Sequence, residues 1–237
     1  YDGYILSHTV MPVVVPTQAS VDKFLPTYVP HTILDTHDPR NLNQVTLADP
    51  RVDASGTLCH GYMELRYLLA EAMLEAPATI ARVDAEFGEA FGRSWGGMTW
   101  GYRDEDADVL LTAAGSLASE ASVAVDALRS QGIKAGVRAV RVYRPFPAKE
   151  LAQAVRHAKL IAVFDKSLSY GYQGPICADV KAALYAEPRR PAVHGYVAGL
   201  GGRDVKAREL VEAVKQSIAD HERGVLDRDT GWINCQI

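Results

Sequence analysis

Between residues 109 and 222 short apolar runs alternate with stretches whose apolar positions recur every three or four residues. Val109–Ala113, Ala135–Val142, Leu160–Phe164 and Ala192–Val197 read as buried strands. Ser116–Arg129, a segment after Pro147, Ile176–Tyr185 and Val205–Glu222 read as helices. Strand–helix alternation joined by short loops calls for right-handed crossovers and a parallel sheet covered on both faces. Residues 103–224 are therefore expected to form a doubly wound, mostly parallel α/β domain. Upstream, Leu65, Leu68, Leu69 and Met73, then Ile80, Val83, Phe87 and Phe91, fall at helical spacing and predict two amphipathic pieces broken near Pro77. Gly92–Tyr102, with Trp95 and Trp100 among four glycines, reads as a domain boundary, which makes 61–102 a helical linker region. Residues 1–60 hold six of the twelve prolines and read as an extended arm. Its strand candidates are Tyr4–Leu6 and Val13–Val15, the second hemmed by Pro12 and Pro16. Residues 225–237 are left as a tail.

Composition narrows the function classes. The chain has 237 residues, 48% of them hydrophobic, enough for a core without disulfide or metal staples. Twenty-five basic against 29 acidic residues give a net charge of −4 and no electrostatic footprint for nucleic acid. Cys59, Cys177 and Cys235 are odd in number, far apart and free of C-x-x-C spacing, so no disulfide framework, zinc ribbon or iron–sulfur run is encoded. That usage suits a reducing cytoplasm, and no apolar run has the roughly 18–20 residues needed to span a bilayer. Residue 1 is Tyr rather than Met, and the opening reads as if a strand and turn were already under way. The acidic run Asp104–Asp108 reads as a solvated helix start or loop face rather than a metal site.

In a doubly wound sheet ligands gather beyond the carboxyl ends of the strands, so the four strand-to-helix turns hold the candidate chemistry. After the first, Gly115 makes the turn and Ser116 stands as N-cap, or the helix start holds an anion. After the second, Arg144 precedes Pro145-Phe146-Pro147, facing either an acidic ligand group or a neighbouring carboxylate. Asp165 opens a Ser-, Gly- and Tyr-rich loop after the third, where it positions a ligand or partner chain, or holds a nearby amide. After the fourth, Gly199-Leu200-Gly201-Gly202-Arg203-Asp204 lacks the last glycine of G-x-G-x-x-G, and Asp204 suits an N-cap better than a dinucleotide site. Ser7 and His8 are adjacent and on a strand would point to opposite faces, so they cannot form a catalytic pair with each other. No complete catalytic set and no metal-ligand spacing is present.

Several segments taken together carry a family resemblance. Asp2-Gly3-Tyr4-Ile5-Leu6-Ser7-His8 is similar to the D-G-x-x-x-S-H segment of the α subunit of 2-oxoacid:ferredoxin oxidoreductases, among them pyruvate:ferredoxin oxidoreductase. Phe91-Gly92-Arg93, Gly115-Ser116, Val140–Pro147, Ala162–Lys166 and Gly199–Asp204 match in order. The resemblance implies a complex using thiamine diphosphate with Mg and iron–sulfur clusters. It decarboxylates a 2-oxoacid such as pyruvate, passes the acyl unit to coenzyme A and sends electrons to ferredoxin or a related acceptor. It further implies that 103–224 is a domain like the transketolase C-terminal domain, and that 1–60 ends a thiamine-binding domain with Ser7, His8 and Thr9 nearest the active site. The glutamate-bearing thiamine-binding domain and the G-D-G diphosphate motif of the family have no counterpart here. On this reading the chain is a C-terminal piece of an α subunit, or a subunit split at that point. It serves as scaffold and interface for β, γ and δ subunits or their fused equivalents, is inactive alone, and leaves the cofactors to other chains or segments. A free-standing α/β module binding a nucleotide or acyl carrier through Gly199–Asp204 is the rival reading.

Overall fold

The computed structural model describes residues 14–27, 51–52, 58–59, 62–225 and 230–236. Two compact units separate at Ser94. In the first, the arm is not wholly extended: Gln18–Phe24 forms a helix, α1, whose N-cap Thr17 accepts from the Ser20 amide at 3.3 Å. Val14 and Val15, expected in a strand, are exposed and lie outside any strand. Arg51–Val52 (β1) and Leu58–Cys59 (β2) pair antiparallel. The two helical pieces expected around Pro77 are one helix, α2, running unbroken over Tyr62–Phe91. Proline deletes one ladder bond, and alanines at 70, 72, 76, 78, 81 and 85 supply the propensity that carries the helix across it. Phe24 of α1 packs edge-on against Phe87 and Phe91 of α2, with ring centroids 5.9 and 5.6 Å apart.

The second unit is the expected α/β sandwich. Its sheet has the order β3-β5-β4-β6-β7-β8, where β3 is Thr99–Tyr102, β4 Val109–Thr112, β5 Ala135–Val140, β6 Leu160–Asp165, β7 Ala192–Val197 and β8 Gly231–Trp232. All pairings are parallel except β3 with β5. β4 and β6 are buried at every position, as central strands covered on both faces must be. The helices are α3 (Ser116–Ser130), α4 (Ala148–Val155), α5 (Pro175–Leu184) and α6 (Ala207–Glu222). α3 and α6 pack on one face through Leu117, Val125, Leu128, Leu210 and Val214, and α4 and α5 on the other through Leu151, Val155, Val180 and Leu184.

That layering departs from the expectation of uniformly right-handed crossovers. α3 carries the chain from β4 one step toward the β3 edge, whereas α6, on the same face, carries it from β7 one step the opposite way. The two crossovers therefore have opposite hand. The exception falls where the handedness rule has least hold, because β8 is only two residues long and has little twist to impose.

The sheet also takes in residues 99–102, which the sequence placed in the boundary before the domain. β3 is an edge strand held by a tight return. Its Gly101 has no room for a Cβ, which would overlap the Asp104 carboxylate, and Asp104 in turn pairs with Arg138 of β5. The acidic run that follows is a loop rather than a helix start, and two of its carboxylates pair with cations: Asp106 with Arg129 at 2.5 Å and Asp108 with Lys159 at 3.1 Å. A Cβ at Gly136 of β5 would stand 2.6 Å from the Arg103 carbonyl oxygen and 2.6 Å from the Asp104 Cα, neither of which can move without shifting the loop. Gly136→Ala should destabilise the sheet by about 1–3 kcal/mol, read as a lower urea midpoint. Val123→Ala on the exposed side of α3 should stay within about 0.5 kcal/mol.

Candidate functional site

The chain leaves β4 toward β5 on one side and returns to β6 on the other, so a crevice opens beyond the carboxyl ends of β4 and β6. It is a cavity of about 300 Å³ whose wall includes Gly115, Tyr143, Asp165, Lys166, Ser167 and Ile176. Of the candidate residues Asp165 lines it, while Ser116 and Arg144 stand behind its wall, bonded to Lys166 and stacked on Tyr143 respectively.

Ser116 is not the N-cap it was expected to be. Gly115 holds that position at φ 63°, a left-handed conformation that suits glycine, and Ser116 becomes the first helical residue. Its hydroxyl instead accepts from Lys166 Nζ at 2.9 Å. The Lys166 stem lies against the turn after β7, where a Cβ on Gly199 would meet Lys166 Cε at 3.3 Å. One lysine thus spans the ends of β4, β6 and β7. Sequence reasoning passed over it, although a lysine directly after a strand-end aspartate at the switch point was the available signal.

Asp165 is buried at the last position of β6, and its two oxygens accept from the Ile176 amide at 3.0 Å and the Cys177 amide at 2.9 Å. A helix that begins on Pro175 still has free amides in its first turn, and a carboxylate eleven residues upstream satisfies two of them. Gly174 is required at the crossing, since a Cβ there would overlap the Asp165 carboxylate. Burial nonetheless pushes the Asp165 carboxyl up to about 6 against the two amide bonds that lower it. Burial likewise raises the Cys177 thiol, to about 11, which keeps it an unreactive core group.

Arg144 sits over the Tyr143 ring at 4.0 Å and donates to the Asp179 carboxylate at 2.9 Å. Of the two readings left open for it, the structure realises the neighbouring carboxylate. Arg203 and Asp204 lie apart from the crevice: Arg203 lines a second cavity of about 250 Å³ between the turn after β7 and residues 232–236, and Asp204 lies outside that cavity. Arg203 donates to the Asn234 carbonyl at 2.9 Å, and the Asn234 amide donates to the Asp204 carbonyl at 3.1 Å. Asp204 does not cap α6. The helix starts three residues later, and its Glu209 carboxylate reaches back to the Lys206 amide at 2.5 Å. Ser7, His8 and Thr9 lie outside the described residues.

The model of pyruvate:ferredoxin oxidoreductase core domain II matches residues 107–210, the stretch from just before β4 into α6. Pyruvate synthase subunit PorA of Methanothermobacter thermautotrophicus is 40% identical over 216 residues, covering 91% of this chain and 52% of that protein. Ketoisovalerate oxidoreductase subunit VorA of Pyrococcus horikoshii is 38% identical over 235 residues, covering 99% of this chain and 57% of that protein. This chain belongs to the 2-oxoacid:ferredoxin oxidoreductase α-subunit family. It spans about half the length of the curated relatives it matches. Among solved structures, a 2-oxoglutarate:ferredoxin oxidoreductase from Magnetococcus marinus with 2-oxoglutarate, coenzyme A and succinyl-CoA bound aligns over 69% of this chain and 25% of its own. Its TM-score is 0.41 and its identity 16%.

The family's cofactors can be tested against the side chains present. A magnesium diphosphate needs several oxygen ligands, and a cluster needs grouped thiolates. Among the described residues no three His, Cys, Asp or Glu side chains are placed to hold a metal ion. Asp165, the buried carboxylate of the crevice, is committed to two amides, while Cys177 is buried and Cys235 exposed. The described residues therefore do not fit a thiamine diphosphate–metal site or an iron–sulfur cluster.

Asp165 gives this edge a testable signature. An asparagine in its place would retain one acceptor but turn an NH2 toward an amide donor, so Asp165→Asn should cost about 1–3 kcal/mol in urea unfolding. The folded carboxyl titrates near 6 and the unfolded one near 3.8, so the folded state holds the extra proton between those values. The group's contribution is complete below about pH 4 and declines as pH rises to 6. The gap between the native chain and the variant should accordingly be widest near pH 4 and narrow toward pH 6.

Proposed function

We propose that this chain is part of the α subunit of a thiamine-diphosphate-dependent 2-oxoacid:acceptor oxidoreductase. The complex would oxidatively decarboxylate a 2-oxoacid, transfer the acyl unit to coenzyme A and pass the electrons through iron–sulfur clusters to ferredoxin or a related acceptor. The observation that carries this reading is continuous similarity over 91–99% of the chain to α-type subunits named for two different 2-oxoacids. Nearly equal identity to a pyruvate and a ketoisovalerate subunit supports the class of acid rather than one member of it.

Within that complex we assign residues 103–224 a scaffold and interface role. The polar groups at the carboxyl edge are largely engaged with one another, Lys166 with Ser116, Arg144 with Asp179 and Asp165 with two amides, which suits a fixed support better than a reacting centre. The same edge presents Tyr170 at 95% and Tyr172 at 71% exposure in the β6–α5 loop, the residue type enriched at buried protein interfaces. Ser7, His8 and Thr9 are assigned to the neighbourhood of the thiamine site, and the cofactors to the β, γ and δ subunits or to other segments. The complex is assigned to the cytoplasm. Among the described residues no helix is long and apolar enough to cross a membrane.

Purifying the affinity-tagged native subunit from its source should recover partner subunits, thiamine diphosphate, iron and acid-labile sulfide, with coenzyme A-dependent reduction of ferredoxin by a 2-oxoacid. Recovery of a lone chain without cofactors would overturn the assignment. Tyr170→Ala combined with Tyr172→Ala should leave the chain's own unfolding midpoint unchanged and reduce the partner subunits recovered with it.

A further inference from the structure

β7 and α6 meet through buried polar groups that the carboxyl edge does not use. His194 and Tyr196 of β7 and Ser217 of α6 are all buried. His194 Nδ1 lies 2.9 Å from Ser217 Oγ, Ser217 Oγ lies 2.7 Å from the Tyr196 hydroxyl, and that hydroxyl lies 2.8 Å from the Ala213 carbonyl oxygen. The Tyr196 ring stacks on Phe164 of β6 at 5.3 Å, and a Cβ on Gly231 of β8 would meet that ring at 2.5 Å. The cluster thus bears on β6, β7, β8 and α6, at the crossover whose hand departs from the others.

These three contacts need one proton each, and the groups present fix where each proton lies. A carbonyl oxygen only accepts, so the contact at Ala213 takes the Tyr196 proton. Burial raises the Tyr196 hydroxyl above its ordinary range, so that proton is retained. The tyrosine oxygen is then the acceptor toward Ser217, and that contact takes the serine proton. The serine oxygen in turn accepts, which leaves His194 Nδ1 to supply the last proton. In the reverse assignment Ser217 donates to His194 and Tyr196 to Ser217, which leaves two oxygens 2.8 Å apart at Ala213 with no hydrogen between them.

We infer that His194 is a fixed Nδ1–H donor at the head of a one-way hydrogen-bond chain, His194 to Ser217 to Tyr196 to the Ala213 carbonyl, which latches α6 onto β7. Because Nδ1 keeps its proton, the ring gains and loses charge at Nε2 alone. From α6, Asp220 bears on the ring electrostatically and is itself bonded by Gln216 and Arg223. On its own strand Tyr196 lies 4.5 Å away, ring to ring, while β6 sets Ala162 beside it and the described residues of β8 are Gly231 and Trp232. A second proton on the ring therefore leaves the chain in place, and the latch holds on both sides of the pH at which histidine charges.

The inference stands on these buried groups and not on the proposed reaction, so the two fail separately, one by proton position and the other by subunit and cofactor content. The test uses the native protein as purified, with isotope-labelled histidine nitrogens read by solid-state NMR and His194 assigned by the signal lost in His194→Gln. Nδ1 should carry a proton at about pH 5 and at about pH 8. An Nδ1 without a proton at either pH overturns the inference. Hydrogen exchange of the α6 amides in the same protein gives an independent reading. Tyr196→Phe keeps the ring stacked on Phe164 and removes the hydroxyl, and should speed that exchange roughly fivefold, by the same factor at both pH values after correction for intrinsic exchange. A factor that differs between the two, or no acceleration at all, overturns the inference as well.

Discussion

The carboxyl edge of the sheet depends on the two amide hydrogen bonds accepted by Asp165. β6 is the strand on which the doubly wound arrangement turns, buried on both faces and bonded to β4 on one side and β7 on the other. A strand so placed must end in something that turns the chain without leaving polar groups stranded. The buried carboxylate does this by binding the first turn of the helix that follows, which fixes where α5 begins and how the intervening loop departs. With that end fixed, Lys166 is aimed across the crevice at Ser116 and its stem is laid along Gly199. Remove the carboxylate and the three strand ends lose their common reference. Burial raises the carboxyl pKa, and the two neighbouring amides oppose that rise.

The parts of this architecture that could be read from sequence are those where burial writes a strong period. Leu160–Phe164 is apolar throughout because both of its faces are covered, and the helical spacing of 116–129 follows from a single buried face. What escaped was set by geometry without a hydrophobic signature. β3 is four residues with a glycine in the middle, and it is a strand because Arg138 and Asp104 draw it to the sheet edge. α1 is seven residues, too short for periodicity to speak, and its mark was the cap at Thr17. Pro77 misled because a local rule was applied to a helix long enough to absorb one missing bond. At the carboxyl edge, the residue types at Ser116, Arg144 and Asp165 marked polar turns. Their partners did not follow, because Lys166, Asp179 and the α5 amides reach them only through the fold.

Membership of an oxidoreductase family and the chemistry of these side chains pull in different directions. Acyl transfer from a thiamine adduct needs groups that change protonation or charge during turnover, and such groups must be left partly unsatisfied at rest. The described edge is organised the other way, with its lysine, arginine and buried aspartate each tied to a neighbour. A set of groups this well satisfied stiffens a surface. Stiffness is what the proposed supporting role would need.

α2 poses the reverse problem. A sheet domain finds its stability within itself, but a helix of 30 residues with no buried position among its described side chains has no core of its own to rest on. In water most helical stability comes from packing an apolar face, and propensity alone leaves even alanine-rich helices marginal. Among the described residues, Phe24 covers one end of the half-buried row Met73, Ile80, Phe87 and Phe91. Met63, Tyr67 and Leu74 are exposed, and at roughly 1.5–3 kcal/mol for each large side chain buried, covering them would contribute more than any cap or ion pair on the helix.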